Sequence, residues 1–232
     1  MKNIIIHTTN DEVVSLRLVD KIISDSDFQN YNFDIFLNNS NFLRKLKVFL
    51  VFFLFGSIKS LLRESKKRVS IESIVSNYKN CKIIDKIEGN YDFGINVYGI
   101  NKIKLQKYKI YNFHLGSLFN QRGSFIFFYK FIYDWQSVDL TFHEVNNKFD
   151  VGKIYNTRTI NLEKETNATD ICFLYLNNLD FLKESILKIK DNHTKDNHIN
   201  EYKDYKKINL VPTFSNLFKL ITYYFYRKFL SR

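Results

Sequence analysis

Apolar runs of two different spacings alternate along this chain, and that alternation restricts it to a small set of folds. "NIIIHTT" is a continuous apolar run closed by Thr8, Thr9 and Asn10, the pattern of a strand handing over to a helix cap. Val13, Val14, Leu16, Leu18, Val19, Ile22 and Ile23 then recur at helical spacing. "NFDIFLNN" supplies a second strand, Phe33 to Leu37, and a long basic amphipathic helix is predicted from Phe42 to Glu64. "SIESIVSNY" reads as a short helix opened by Ser70. "KIIDKI", "DFGINVYG" and "KYKIYNFH" read as strands. Strands taking turns with helices predict an α/β domain built on a mainly parallel sheet. Ligands of such sheets bind beyond the carboxyl ends of the strands, where His7, Tyr98 and His114 all fall.

The second half continues the pattern. "GSFIFFYKFIYDWQS" is apolar enough for a buried helix, and "SVDLTFHEV" and "GKIYNTRTINL" are two further strands. Ile171, Leu174, Tyr175, Leu179, Leu182, Ile186 and Ile189 carry one helical spacing through "ATDICFLYLNNLDFLKESILKIK". The polar segment 191–207 reads as a loop. Phe214, Leu217, Phe218, Ile221, Tyr224, Phe225 and Phe229 then form an apolar stripe on a basic final helix. The division expected is a domain over residues 1–190, with the polar loop and amphipathic helix of 191–232 appended.

Among 232 residues the formal net charge is +11, which favours an anionic partner such as a phosphorylated ligand, a membrane surface or nucleic acid. Scattered solvating lysines explain the same number. Cys81 and Cys172 lie far apart, without metal-type spacing, so neither a disulfide framework nor a metal site is expected. His193 and His198 sit in the polar loop and read as solvated. Val48 to Ile58 is the most apolar stretch, too short to span a bilayer as a helix. No signal peptide opens the sequence, and a cytoplasmic location is expected.

The stretch "YNFHLGSLFNQRGSF", Tyr111 to Phe125, is unlike its surroundings. Two of only seven glycines fall here beside a His. Asn112 and His114 share one strand face, with Phe113 turned into the core. Gly116 and Gly123 bracket a loop that must bend closely, and "HEVNNKFDVGKI" puts Asp150 in a turn between two strands. An Asn, a His and an Asp have the parts for acyl transfer: two donors for an oxyanion, and a carboxylate to orient the His and take up a proton. The same residue types also fit a structural core histidine beside a capping asparagine.

The motifs resemble those of the formyltransferase family that uses 10-formyltetrahydrofolate. "NFHLGSL…RG" is similar to that family's N-x-H-x-S-L-L-P-x-x-R-G signature, and "FDVGKI" to its L-D-T-G-D-I segment, with Asp150 following His114 by 36 residues. "NVYG", Asn96 to Gly99, resembles the family's A-Y-G. Phe119 stands in place of the family's proline and Lys153 in place of an acidic residue; Gly116 and Ser117 shift its small residues. The resemblance implies a Rossmann-like core and a catalytic trio of Asn112, His114 and Asp150. It also implies a folate pterin held by backbone near Tyr98, Gly99, Val145 and Phe149, with no metal.

Within the family the acceptor differs. Methionyl-tRNA formyltransferases carry a further barrel domain, and the glycinamide ribonucleotide enzymes open with a glycine-rich phosphate loop where this chain reads "HTTND". The resemblance therefore implies the branch acting on nucleotide-linked amino sugars, such as dTDP-4-amino-4,6-dideoxyglucose, for surface polysaccharide synthesis, and a homodimer that binds no nucleic acid. His7, Thr8 and Thr9 would meet the acceptor. Arg122 would contact a phosphate or the folate tail, or brace the loop by a salt bridge. A lipid-linked amino sugar is one alternative acceptor, with the basic helices in peripheral contact with a membrane. A non-enzymatic basic protein binding membrane or nucleic acid is the alternative from another class.

Overall fold

The computed structural model describes residues 2–9, 13–38, 42–55, 70–97, 106–123, 125–146, 150, 152–163, 166–190, 208–209 and 213–230. In chain order the elements are β1 (Lys2–Thr8), α1 (Val13–Ile23), β2 (Tyr31–Leu37), α2 (Phe42–Phe55), α3 (Ile71–Val75), β3 (Cys81–Ile84), β4 (Phe93–Val97), β5 (Ile110–Leu115), β6 (Arg122–Gly123), α4 (Ile126–Tyr133), β7 (Ser137–Glu144), β8 (Ile154–Asn161), α5 (Ala168–Asn177), α6 (Leu179–Lys190), β9 (Ile208–Asn209) and α7 (Phe214–Leu230).

Seven strands form one sheet in the order β3-β2-β1-β4-β5-β7-β8. The first five are parallel; β7 pairs antiparallel to β5, and β8 antiparallel to β7. The apolar run of β1 has its cause here. The strand pairs on both sides, with β2 and β4, and Ile4, Ile5 and Ile6 are all buried, as expected of a strand covered on both faces. At one end of the sheet, β8 alternates between half-buried and exposed residues over its second half. Phe113 is buried against the Tyr175 ring of α5 at 4.9 Å.

Local chemistry sets several boundaries. Ser70 caps α3 by accepting the Ser73 N–H. Asn167 and Asp170 form a capping box that opens α5. The single helix predicted through Ile171–Ile189 is two, α5 and α6. At Asn178 the side chain donates to the Leu174 carbonyl at 2.9 Å and accepts from Arg158 at 3.4 Å. A local side-chain bond of this kind competes with the helical ladder. Of the helix predicted over Phe42–Glu64, Phe42–Phe55 is helical; the remainder lies outside the described residues.

Among the described residues, the C-terminal segment meets the rest of the fold through β9 and α7. β9 pairs in parallel with β6, Ile208 opposite Arg122. α7 packs against α4 and fully buries Leu217, and Lys47 of α2 lies 5.0 Å over the Phe214 ring. Phe218, Tyr223, Tyr226 and Phe229 remain exposed, as do Phe49 and Phe53 of α2. Among the described residues, no helix is long and apolar enough to cross a membrane.

Candidate active site

Three strands present the site. β5 carries Asn112 and His114 on one face, and the turn between β7 and β8 brings back Asp150. Asn112 Nδ2 lies 3.5 Å from Asp150 Oδ1, and His114 Nε2 lies 4.0 Å from Asp150 Oδ2. Asp150 has φ 48°, in the left-handed region that Asp and Asn enter more readily than bulkier residues. The Gly123 N–H donates to its Oδ2 at 2.9 Å.

Gly116 answers for one of the two glycines in the 111–125 stretch. Its φ is 135°, and a Cβ there would stand 2.1 Å from the Gln121 carbonyl oxygen and 3.0 Å from His114 Nε2. The close turn is what lets His114 Nε2 reach that carbonyl at 3.2 Å. A carbonyl only accepts, so this nitrogen carries a proton. Gln121 ties the loop down: its Oε1 accepts from the Ser117 and Asp139 N–H groups, and its amide donates to Ser137.

Burial alone would push the Asp150 carboxyl up. His114, His143, the Gly123 N–H and the Arg122 charge outweigh it and hold the group below the ordinary carboxylate range. Asp150 is therefore ionised at neutral pH, with Asn112 and His114 donors beside it. The arrangement can accept a proton at one point and stabilise a developing oxyanion at the next. Arg122, expected in a loop, is buried at 2% exposure in β6.

Two neighbours escaped the sequence reading. His143 of β7 is paired across the sheet with Asn112 and accepts from its Nδ2 at 3.1 Å. Asn96 of β4 donates to Asn112 Oδ1 at 2.7 Å. The signal available for His143 was a polar ring inside the apolar run "LTFHEV"; Asn96 carried none in so Asn-rich a chain.

The residues expected to meet the acceptor lie at the carboxyl end of β1. His7, Thr8 and Thr9 are all buried. His7 Nε2 and Thr8 Oγ1 are sealed from water and lack a hydrogen-bond partner among the described residues, whereas Thr9 is bonded to Ser15. Val145 is half-buried, and its N–H is used in a bond to the Ile110 carbonyl. Tyr98, Gly99 and Phe149 lie outside the described residues. Among the described residues no group of His, Cys, Asp and Glu is arranged to hold a metal ion.

Burial lowers the pKa of both His7 and His143 to about 4. In the unfolded chain each titrates near 6.5. Between those values the unfolded state binds protons that the folded state refuses, so stability falls as pH falls from 6.5 to about 4. His7 alone accounts for on the order of 3 kcal/mol, and His143 adds in the same direction. The denaturant midpoint should drop across that window, and His7→Leu should flatten the slope by about one proton. A midpoint unchanged between pH 7 and 4 would contradict this.

The sequence matches no family model and no curated protein. Its fold is found among solved structures. WlaRD, a sugar 3-N-formyltransferase crystallised in the presence of dTDP and 5-N-formyl-THF, superposes with a TM-score of 0.58 at 16% identity, over 90% of this chain and 69% of that one. The N-formyltransferase from Helicobacter canadensis, in complex with folinic acid and dTDP-3-aminofucose, gives 0.57 at 17%, over 83% and 65%. A 4-N-formyltransferase from Francisella tularensis gives 0.53 at 19%, over 90% and 75%. The chain thus has the α/β fold of the N-formyltransferases and spans about two thirds of the length of the first two.

Proposed function

We propose that this protein is an N-formyltransferase, taking its formyl group from 10-formyltetrahydrofolate and placing it on the amine of a nucleotide-linked amino-dideoxy sugar. One observation carries the reading: an ionised, largely buried Asp150 lies 3.5 Å from the Asn112 amide and 4.0 Å from the His114 imidazole, at the carboxyl ends of parallel strands. The fold likeness to sugar N-formyltransferases supports it, as does the motif spacing.

The folate supplies an electrophilic formyl carbon when bound. The chain's own groups then divide the work. As the amine attacks, the Asn112 N–H held only at 3.5 Å by Asp150 and the His114 Nε2–H bonded to the Gln121 carbonyl at rest turn to the oxygen that gains charge. Asp150 receives the proton that the amine must shed, directly or through one water, and that proton would pass to the donor nitrogen as its bond to the formyl carbon breaks. His7 Nε2 and Thr8 Oγ1, at the end of β1, have no hydrogen-bond partner among the described residues, and a hydroxyl of the acceptor would supply one. The net positive charge suits a diphosphate-bearing acceptor. The products would serve surface polysaccharide synthesis, and a homodimer is expected.

A panel of dTDP- and UDP-linked 3-amino and 4-amino sugars, incubated with 10-formyltetrahydrofolate and read by mass spectrometry, tests the proposal. The expected result is the mass gain of one formyl group on a 4-amino sugar. Formylation of glycinamide ribonucleotide or methionyl-tRNA alone would overturn the acceptor. A lipid-linked amino sugar is the second reading, favoured by the exposed aromatics Phe49, Phe53, Phe218, Tyr226 and Phe229. Including one in the panel, with and without anionic vesicles, separates the two.

A further inference from the structure

Four polar side chains form one row across the sheet. His7 of β1 stands opposite Asn96 of β4, Asn96 opposite Asn112 of β5, and Asn112 opposite His143 of β7. Cross-strand partners project from the same face. Hydrogen bonds join three of the four: Asn96 Nδ2 donates to Asn112 Oδ1 at 2.7 Å, and Asn112 Nδ2 donates to His143 Nε2 at 3.1 Å.

A carboxamide has a donor end and an acceptor end, and which end faces the reacting oxygen decides whether Asn112 helps or hinders. The row settles this from one fixed point. His143 Nδ1 lies 3.0 Å from the Glu144 carbonyl. That oxygen only accepts, so Nδ1 carries the proton of the neutral ring. Nε2 is then left with a lone pair, and a lone pair requires the NH2 end of Asn112. The Asp150 carboxylate, 3.5 Å from the same nitrogen, requires it too. Asn112 Oδ1 must therefore face Asn96, which presents its own NH2. The opposite flip would set an oxygen against a lone pair and a carboxylate, and two NH2 groups against each other.

Resting on the formyl-transfer reading above, we infer that His143 is a positioning residue. Locked in one tautomer by the Glu144 carbonyl, it fixes the flip of the Asn112 carboxamide by taking one N–H, so that the other, held by Asp150 only at 3.5 Å, is the one presented to the developing oxyanion, while Asn96 closes the far end. His143 Nε2 lies 3.7 Å from Asp150 Oδ1, but the nitrogen has no proton to give. The ring is buried at 2% exposure, and its part in the reaction is exerted through Asn112.

The test combines His143→Ala, His143→Gln and Asn96→Asp in the full chain. Gln restores an acceptor where Nε2 stood; Asp at 96 sets an acceptor against Asn112 Oδ1 and pulls the amide toward the wrong flip. The expected result is a kcat roughly tenfold or more lower in His143→Ala and Asn96→Asp, with KM changed by less than about twofold, and recovery in His143→Gln. By nitrogen-resolved NMR, one Asn112 side-chain amide proton should exchange slowly in the parent and fast in His143→Ala. Unchanged kcat per folded molecule in Asn96→Asp and in whichever His143 variant folds, with slow exchange throughout, would overturn the inference. A pinned amide in a parent protein that formylates no amine would instead overturn the functional reading and leave the flip assignment standing.

Discussion

Asp150→Asn should lower formyl transfer by roughly 10²–10⁴-fold, the range of general acid–base catalysis, with little change in folding. The two halves of that result have separate causes. Asn enters the left-handed region as readily as Asp, so φ 48° at this position is kept. Its amide oxygen still accepts the Gly123 N–H, bonded at 2.9 Å in the parent. The negative charge and the proton acceptor are lost. Asp150→Ala is the poorer probe: it removes the Gly123 bond and places an unbranched apolar residue at positive φ, so stability falls along with rate. Circular dichroism melting of both variants separates the effects. An Asn variant holding more than about a tenth of the parental rate would remove Asp150 from the proton path.

Gly152→Ala should be nearly as damaging, through the backbone. A Cβ at position 152 would lie 1.5 Å from the Glu144 carbonyl oxygen and 2.5 Å from its carbon, so the two chain segments must part. Two things then move. The Glu144 carbonyl loses its place beside His143 Nδ1, 3.0 Å away in the parent, and Asp150, two residues from the substitution, leaves its position facing His114. A displacement near 1 Å at a catalytic group costs about 10²-fold. The strand ladder beyond the turn has no reason to break, so far-UV circular dichroism should change little while activity collapses. Gly89→Ala is the control. A Cβ there meets only the outer ring atoms of Tyr91, at 2.8 Å and beyond, and that side chain can swing aside. Parental activity in Gly152→Ala would show that the turn tolerates opening.

Much of this was legible from residues alone, because period-two and helical spacings announce which face is apolar. The parity of Asn112, Phe113 and His114 placed two polar groups on one face and a phenyl ring in the core. The 36 residues from His114 to Asp150 were matched through the resemblance to the formyltransferase motifs, not through any local spacing. What stayed hidden depends on register. His143 meets Asn112 only because β7 runs antiparallel to β5 with Asn112 opposite His143, and no local pattern states which residues of two strands stand opposite. The two-residue pairing of β6 with β9 is too short to leave a periodic trace. Arg122 is buried on a strand whose partner is a distant segment. The break between α5 and α6 turned on one side chain, Asn178, folding back onto Leu174, within a spacing that ran unbroken across it.

The two ends of the sheet have a bearing on colloidal behaviour. An open strand edge is a template on which another chain can add, and aggregation begins there. This chain, with 23 Phe and 15 Tyr, has ample apolar surface to sustain such growth once started. Among the described residues the terminal strands are β3 and β8, and each is blunted differently. β3 is only four residues long and carries Lys82, which pairs with Asp34 at 3.5 Å while remaining largely exposed. β8 is longer, but its register shifts where it passes Phe142 and His143, and such a bulge bends a strand out of the flat geometry that stacking requires. Arg158 of β8 is also tethered by Asp180 and Glu184 of α6, at 2.6 and 3.6 Å, setting charge beside the open backbone. The irregularity beside the Asp150 turn therefore also denies so aromatic a chain a flat edge on which to stack.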